Sequence, residues 1–186
     1  MERGLCISLN QYYIDSTWTI HTFEPNKASF EFLNSFEYKN CNIVKHNVGI
    51  WTEDTTLTFR PETTHPVNGR TADGAGSTFI SENNWNIKTP GNWGAGDYLE
   101  TYEVPVIDLS KFLKELKEPE FILLKVDIEG SEYPVLRKLI NDNSIKLVND
   151  VYVEFHDWAM STTGMDTTDI LIKEISSLGV KITKWI

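Results

Sequence analysis

Carboxylate and imidazole side chains follow two apolar segments of this chain, at the point where each segment ends. Asp127 and Glu129 lie in the segment KVDIEGSE, and Glu154 and His156 lie in VYVEFH. Asp127 and Glu129 share one side of an extended strand because side chains alternate with a period of two. Buried carboxylates are unfavourable unless they are paired. The two segments therefore predict a polar site at one edge of a sheet, in which His156 could act as a general base.

Each of these residues also has a structural interpretation. Gly130 permits a tight turn between a strand and a helix, and Glu132 suits the N-terminus of that helix because carboxylates are stabilised there. His156 fits a hydrogen-bonded structural histidine as well as a general base. Asp, Glu and His side chains at one edge can hold a divalent ion, but nothing in their spacing requires one. We therefore assign no metal.

A further carboxylate follows an earlier strand-like segment, in the sequence HTFEPN. An acidic residue at such a strand end can accept hydrogen bonds from both hydroxyls of a ribose, about 20 residues after the glycine turn that opens a nucleotide-binding fold. Gly4 lies at about that distance before Glu24. The alternative is a carboxylate that begins the next helix, where the helix dipole favours it.

The elements that must position these residues alternate between strand and helix. Strand patterns occur in TWTIHTFE, CNIVKHNVGIW, TTLTFRP, YEVPVIDL, FILLKVDI, NDVYVEFHDW and VKITKWI. Helical spacing of apolar residues occurs in KASFEFLNSFEYK, in SKFLKELK with Ser110 as its N-cap, in SEYPVLRKLINDN and in TTDILIKEISSLG. This order predicts an α/β fold, doubly wound, with a mostly parallel sheet and helices on both faces. Ligands of such folds bind beyond the carboxyl ends of the strands, where Asp127 and Glu129 lie.

Residues 61–100 differ from the rest of the chain because they are rich in Gly, Asn, Thr and Trp and lack a sustained period. They predict a long loop or insertion within a single domain that spans residues 1–186. Its glycine-rich segments ADGAGSTF and GNWGAGDY lack the Lys-Ser/Thr of a phosphate-binding P-loop. Trp85 and Trp93 could stack on a sugar, or could simply pack the loop.

The composition excludes several classes of partner. The net charge of −10 and the pI near 4.8 argue against nucleic acid and against an anionic membrane surface. No apolar run is long enough to span a membrane, and the first residues MERGLCISL lack a signal-peptide core. Cys6 and Cys41 make no metal-binding spacing, so we expect a reducing, cytoplasmic setting. The sequence does not predict an oligomeric state.

Taken in order, FEPN, GAGSTF, VPVIDLSKFL, LLKVDIEGSEYPVLRKL and VYVEFH resemble an FkbM-type methyltransferase. The resemblance covers nearly the whole chain from Thr22 onward, and KVDIEGSE carries most of its specificity. It implies a Rossmann-like class I methyltransferase fold and S-adenosylmethionine (SAM) as the methyl donor. It also implies a small-molecule or glycan acceptor, methylated on a hydroxyl of a sugar, glycan or other metabolite.

The resemblance implies a cofactor site near the first strands. Glu24 would hold the SAM ribose, and Pro25 and Asn26 would shape that turn. Asn47 and Val48, after the next strand, would lie near the adenine. These assignments come from the family's pattern and not from the spacing of the residues.

The resemblance also implies roles at the reacting end of the site. Asp127 would lie closest to the transferring methyl group, with Glu129 beside it, and Asp127 or His156 would be the base. The acceptor side would be lined by Glu154 and His156, together with the loop residues Trp85 and Trp93.

The N-terminus departs from the family's pattern. Members of this family begin with a strand that leads into a D-x-G-A-N-x-G turn, whereas this chain begins MERGLCISL. Gly4 matches the last glycine of that turn and would contact the cofactor, so we expect a fold that lacks the first strand. This departure motivates an alternative, a non-catalytic remnant of the fold that acts as a binding module. A third interpretation is a metal-dependent hydrolase that uses the Asp, Glu and His cluster.

Overall fold

A computed structural model describes residues 15–37, 41–61, 66–67, 70–71, 77–80, 101–117, 119–157 and 165–185. These residues form a mixed α/β structure in which parallel strands and helices alternate, as predicted. The chain divides into two compact units, Met1–Asn47 and Val48–Ile186. None of the helices in the described part is long and apolar enough to cross a membrane.

The first unit contains one strand–helix–strand motif. β1 (Thr19–Phe23) pairs in parallel with β2 (Asn42–His46), and α1 (Lys27–Asn34) connects them. The helix begins after Asn26, whose side-chain oxygen accepts a hydrogen bond from the backbone N–H of Ala28 at 3.0 Å. Asn26 therefore ends the turn after β1 and starts the helix, because its side chain satisfies a backbone donor that the first helical turn leaves unpaired.

A small mixed sheet opens the second unit. It contains β3 (Gly49–Trp51), β4 (Thr55–Phe59) and β7 (Tyr102–Asp108), and β7 lies in the middle, parallel to β3 and antiparallel to β4. Between β4 and β7, β5 (Pro66–Val67) and β6 (Arg70–Thr71) form a short antiparallel pair. The segment CNIVKHNVGIW, which predicts one strand, is thus divided into β2 and β3.

The other three-stranded sheet of the second unit is entirely parallel. Its strands are β8 (Leu123–Val126), β9 (Asp150–Glu154) and β10 (Lys181–Trp185), with β9 in the centre. The helix α3 (Glu132–Asn141) connects β8 to β9, and α4 (Met165–Ser177) connects β9 to β10. The carboxyl ends of β8 and β9 therefore meet at one edge of the sheet, which brings the residues after them together.

The helix α2 (Leu109–Glu115) follows β7 directly. Its N-cap is Asp108, whose side chain accepts hydrogen bonds from the backbone N–H groups of Ser110 at 2.8 Å and Lys111 at 3.3 Å. The prediction of Ser110 as the N-cap is wrong because the helix begins one residue before it. The Ser110 hydroxyl instead donates to the carboxylate of Asp142, the residue after α3.

The core of the second unit lies around β9. Val151 and Val153 of this strand have no exposed surface, and neither do Leu136 and Leu139 of α3 or Ile175 of α4. Complete burial of each such side chain contributes about 1.5–3 kcal/mol. β9 is buried on both faces, with Val151 and Val153 on one side and Asp150 and Tyr152 on the other. Burial on both faces is the pattern expected for a central strand of a parallel sheet.

Candidate active site

The turn between β8 and α3 has an unusual backbone. Glu129 has φ 50° and Gly130 has φ 95°. The left-handed region is ordinary for glycine but is uncommon for a residue with a Cβ atom, and it persists only where surrounding contacts hold it. Two side chains supply those contacts, Glu132 from the helix and Thr78 from the residues between β6 and β7.

Glu132 is the first residue of α3, and none of its surface is exposed. Its Oε1 atom accepts hydrogen bonds from the backbone N–H groups of Ile128 at 3.0 Å and Gly130 at 3.2 Å, and its Oε2 atom accepts from Gly130 at 3.0 Å. On the other side of the turn, the Thr78 hydroxyl donates to the carbonyl oxygen of Glu129 at 2.6 Å. The peptide groups around Glu129 are thus held from both sides.

His156 lies two residues beyond β9, and only 3% of its surface is exposed. Its Nδ1 atom is 2.9 Å from Glu132 Oε1, and its Nε2 atom is 3.2 Å from Glu129 Oε2. Burial lowers the pKa of His156, but the hydrogen bond and charge of Glu132 and the charges of Glu129 and Asp127 outweigh burial and raise the pKa to about 9. At neutral pH the imidazolium therefore donates to a carboxyl group on each side.

Glu129 faces the same histidine and remains partly exposed, with 20% of its side chain accessible. Burial raises the pKa of Glu129, His156 lowers it, and the charges of Asp127, Glu132 and Glu154 raise it further, to a final pKa of about 8. A carboxyl group that titrates this close to neutral pH is a stronger base than an ordinary glutamate, and it is partly ionised at pH 7 to 8. These properties suit a general base.

Asp127 is exposed and is already paired. Its Oδ2 atom accepts a hydrogen bond from Lys125 Nζ at 2.8 Å, and Lys125 Nζ also lies 4.9 Å from the centre of the Trp185 ring. Glu154, the last residue of β9, is the register partner of Trp185 and is half-buried. At this edge of the sheet, Lys125 therefore pairs with Asp127, and His156 pairs with Glu129 and Glu132.

The positions of Asp127, Glu129 and His156 would also admit a metal ion. One ligand atom from each residue lies within 4.8 Å of the others, and carboxylate and imidazole are both metal ligands. Acidic groups often cluster without an ion, and here Lys125 and His156 already supply positive charge. The assignment of no metal stays a prediction.

The earlier carboxylate, Glu24, lies directly after β1 in the first unit. Its backbone N–H donates to the carbonyl oxygen of His46 at 3.0 Å, and its carbonyl oxygen accepts from Asn47 Nδ2 at 2.8 Å. Its Oε1 atom accepts from the backbone N–H of Asn26 at 2.8 Å. Burial raises the pKa of the Glu24 carboxyl, and the hydrogen bond from Asn26 opposes this effect. Glu24, the half-buried Pro25 and Asn26 thus form the turn after β1, and Asn47, which follows β2, is hydrogen-bonded to that turn.

The structure brings together most of the residues that the sequence singles out, in two groups. Asp127, Glu129 and His156 form the first group with Glu154 nearby, and Glu24, Asn26 and Asn47 form the second. Val48 is half-buried at the start of the second unit. Three assigned residues lie outside the described part of the chain: Gly4, Trp85 and Trp93.

Sequence reasoning missed two residues that hold the site. Glu132 is correctly placed at a helix N-terminus, but the sequence does not indicate that its side chain turns back to the preceding peptide groups and to His156. Thr78 lies in GAGSTF, one of the segments that resemble the family, and no other feature of the sequence singles it out. Both residues act through contacts between distant segments.

Carboxylates and a histidine at the ends of neighbouring parallel strands define an α/β protein with an enzyme-like site. The model of the methyltransferase FkbM domain matches residues 4–180. The chain therefore belongs to the FkbM methyltransferase family, which confirms the resemblance in the sequence.

The chain is also similar to Methyltransferase 1 of Beauveria bassiana (strain ARSEF 2860). The two chains are 36% identical over 149 residues, an alignment that covers 75% of this chain and 55% of the relative. The chain thus spans about half the length of that relative. No solved structure shows a significant match.

Proposed function

We propose that this protein is a SAM-dependent methyltransferase with the Rossmann-like class I fold, and that it methylates a hydroxyl group of a sugar, a glycan or another small metabolite. The observation that carries the proposal is the group formed by Asp127, Glu129 and His156 at the carboxyl ends of β8 and β9. Membership of a methyltransferase family indicates that the reaction is a methyl transfer. The group of Asp127, Glu129 and His156 contains the side chain that would act as the base for an oxygen nucleophile.

The residues after β1 fit a ribose. Glu24 Oε1 is held by the backbone N–H of Asn26, and no hydrogen bond to Oε2 is found among the described residues. One carboxylate oxygen is thus fixed, and we assign the other to a ribose hydroxyl. Glu24, Pro25, Asn26, Asn47 and Val48 are the residues that would hold the cofactor, together with Gly4. When bound, SAM supplies an electrophilic methyl group and its own leaving group.

The chain's own task is to orient the acceptor hydroxyl and to take its proton. His156 carries its proton at neutral pH, and Asp127 is paired with Lys125. Glu129 has a pKa of about 8, and its Oε2 atom faces the histidine. We therefore assign the base to Glu129, whose ionised form accepts a hydrogen bond from His156, and we assign Asp127 to orienting the acceptor.

The acceptor side of the site is assigned to Glu154 and to the segment that contains Trp85 and Trp93. A hydroxyl-rich acceptor suits a carboxylate, which accepts hydrogen bonds, and aromatic rings, which stack on sugar faces. A change of Glu154 to Gln would keep its size and remove its charge. We expect that change to alter acceptor preference more than cofactor affinity.

Calorimetric titration with S-adenosylhomocysteine tests the cofactor assignment. Glu24→Ala should weaken binding by about 10- to 100-fold, because a hydrogen bond to a charged group contributes about 1.5–3 kcal/mol. Glu31→Ala is the matched control, since Glu31 is an exposed glutamate on α1 and should leave the affinity unchanged.

The titration should be run on this chain and on a version extended upstream. If neither binds SAM or S-adenosylhomocysteine although both are folded, the methyltransferase proposal is overturned and the binding-module alternative takes its place. Equal affinity of the Glu24→Ala and wild-type proteins would overturn the assignment of the ribose site alone.

A further inference from the structure

Glu132 is the most deeply buried carboxylate of the site. It has no exposed surface, so it touches neither the solvent nor an acceptor. A buried carboxylate is strongly unfavourable unless hydrogen bonds compensate for the lost hydration. All the compensating donors found in the described part of the chain belong to the active site: the N–H groups of Ile128 and Gly130 and the imidazole of His156.

This hydrogen bonding is not ordinary helix capping. The N-cap of α3 is Ser131, and its side chain makes no capping hydrogen bond. The Glu132 carboxylate accepts from N–H groups that precede the helix and not from those of its first turn. Its contacts therefore fix the catalytic turn more directly than they stabilise the helix.

One carboxylate thereby determines both ends of the contact between Glu129 and His156. Glu132 Oε1 already accepts hydrogen bonds from the N–H groups of Ile128 and Gly130, so its 2.9 Å contact with the imidazole requires a proton on His156 Nδ1. The ring is then oriented with Nε2 towards Glu129 Oε2, 3.2 Å away. The same carboxylate accepts hydrogen bonds from the N–H groups of Ile128 and Gly130, the residues on either side of Glu129. Glu129 has φ 50°, and in this conformation its side chain contacts the ring.

We propose that Glu132 is the positioning residue of this site, which keeps His156 Nδ1 protonated and holds the turn at residues 128–130 so that His156 Nε2 meets Glu129 Oε2. The consequence for catalysis rests on the proposed function, whereas the effect on His156 does not. The proton of the acceptor hydroxyl passes to Glu129. His156 keeps its proton throughout, and Glu132 forms and breaks no bond.

The first experiment is nitrogen NMR of the wild-type histidine rings at pH 7, with the His156 signals assigned by their loss in His156→Gln. We expect both ring nitrogens of His156 to be protonated and the Nδ1 proton to exchange slowly. Glu132→Gln should remove the slow Nδ1 proton signal and should accelerate hydrogen exchange at the Gly130 amide. Glu132→Asp keeps the charge on a shorter side chain and should retain the protonated ring.

Two further variants separate positioning from general stability. Thr78→Val removes the hydrogen bond to the Glu129 carbonyl and leaves His156 untouched, so it should preserve the ring signals. Glu174→Gln changes a half-exposed glutamate that pairs with Arg137 on α3, and it should leave the ring signals and the affinity for S-adenosylhomocysteine as they are in the wild type.

The kinetic test uses methyl transfer from labelled SAM to a panel of methyl glycosides. Glu132→Gln should lower kcat by about 10- to 100-fold, by analogy with the loss caused by removing the hydrogen-bond partner that orients a metal-bound histidine. The affinity for S-adenosylhomocysteine should change less than about threefold, which is below 0.7 kcal/mol.

A wild-type His156 whose Nδ1 carries no proton overturns the proposal, and so does a Glu132→Gln variant with unchanged ring signals. If Glu132→Gln does not fold, the wild-type spectrum and Glu132→Asp decide the question. If the wild-type protein binds no S-adenosylhomocysteine, the proposed function fails while the NMR result still decides the role of Glu132.

Discussion

Raising the pH from 6.5 to 9 should destabilise this protein because His156 and Glu129 both lose protons that the folded state holds. The pKa of His156 is raised from 6.5 to about 9 by folding, and that of Glu129 is raised from 4.5 to about 8. For each residue, the folded state therefore binds more protons than the unfolded state at pH values between the unfolded pKa and the folded pKa. The stabilisation is complete below the unfolded pKa and is lost as the pH rises through the folded pKa.

The size of the effect follows from the shift at His156. A shift from 6.5 to about 9 is about 2.5 pH units, and each unit corresponds to 1.36 kcal/mol, which gives about 3 kcal/mol lost by pH 9. Glu129 contributes in the same direction up to pH 8. Burial lowers the pKa values of His21 and His46, so these two residues oppose the trend only below pH 6.5.

Urea unfolding at closely spaced pH values between 6.5 and 9 measures this loss. The free energy of unfolding should fall by about 1.4 kcal/mol per pH unit for each extra proton that the folded state holds. The double variant Glu129→Gln/His156→Gln should give a nearly flat profile over the same range. A wild-type profile that is flat or rises with pH would refute the reasoning, and so would a double variant that retains the wild-type slope.

Three further predictions concern stability, each measured by urea unfolding at pH 7. Leu136→Ala removes a side chain with no exposed surface and should lower the free energy of unfolding by about 2–5 kcal/mol; a loss below 1 kcal/mol would contradict the core described above. Gly49→Ala places a Cβ atom 2.5 Å from the Phe79 ring and should lower the free energy of unfolding by about 1–3 kcal/mol; an unchanged value would show that the ring gives way without loss. Arg137→Ala breaks a half-exposed ion pair with Glu174 and should change it by less than about 1 kcal/mol, so a larger loss would indicate a further role for Arg137.

The composition of the site could be predicted because strand periodicity is a local property. The apolar runs before Asp127 and Glu154 predict β8 and β9, and parallel strands bring their carboxyl ends to one edge. Asp127, Glu129 and His156 therefore had to lie near one another if the two strands were neighbours. The parallel sheet and its connecting helices followed from the same alternation of patterns.

The roles within the site could not be predicted in this way because they depend on contacts across the fold. Our assignment of the base to Glu129 rests on the pairing of Lys125 with Asp127 and on the burial of Glu129, and neither leaves a periodic signal in the sequence. Thr78 reaches the carbonyl of Glu129 across a separation of 51 residues. Asp108 caps α2 because β7 leads directly into the helix, whereas the apolar spacing alone placed the start near Ser110.

The pairing of β4 with β7 has an evolutionary consequence. Phe59 and Tyr102 are direct partners at the end of a ladder of five antiparallel pairs, and the next residue, Arg60, pairs with Thr78. Ile80 and Thr101 therefore both lie near the end of β4, and residues 81–100 connect them. The entropy of closing a loop between fixed ends grows slowly, by about 0.6 kcal/mol for each doubling of its length. The segment of residues 81–100, to which we assign part of the acceptor side, can therefore lengthen, shorten or change sequence at little thermodynamic penalty to the sheet. Descendants of this gene could explore new acceptors by varying one stretch of chain while their folding remains the same.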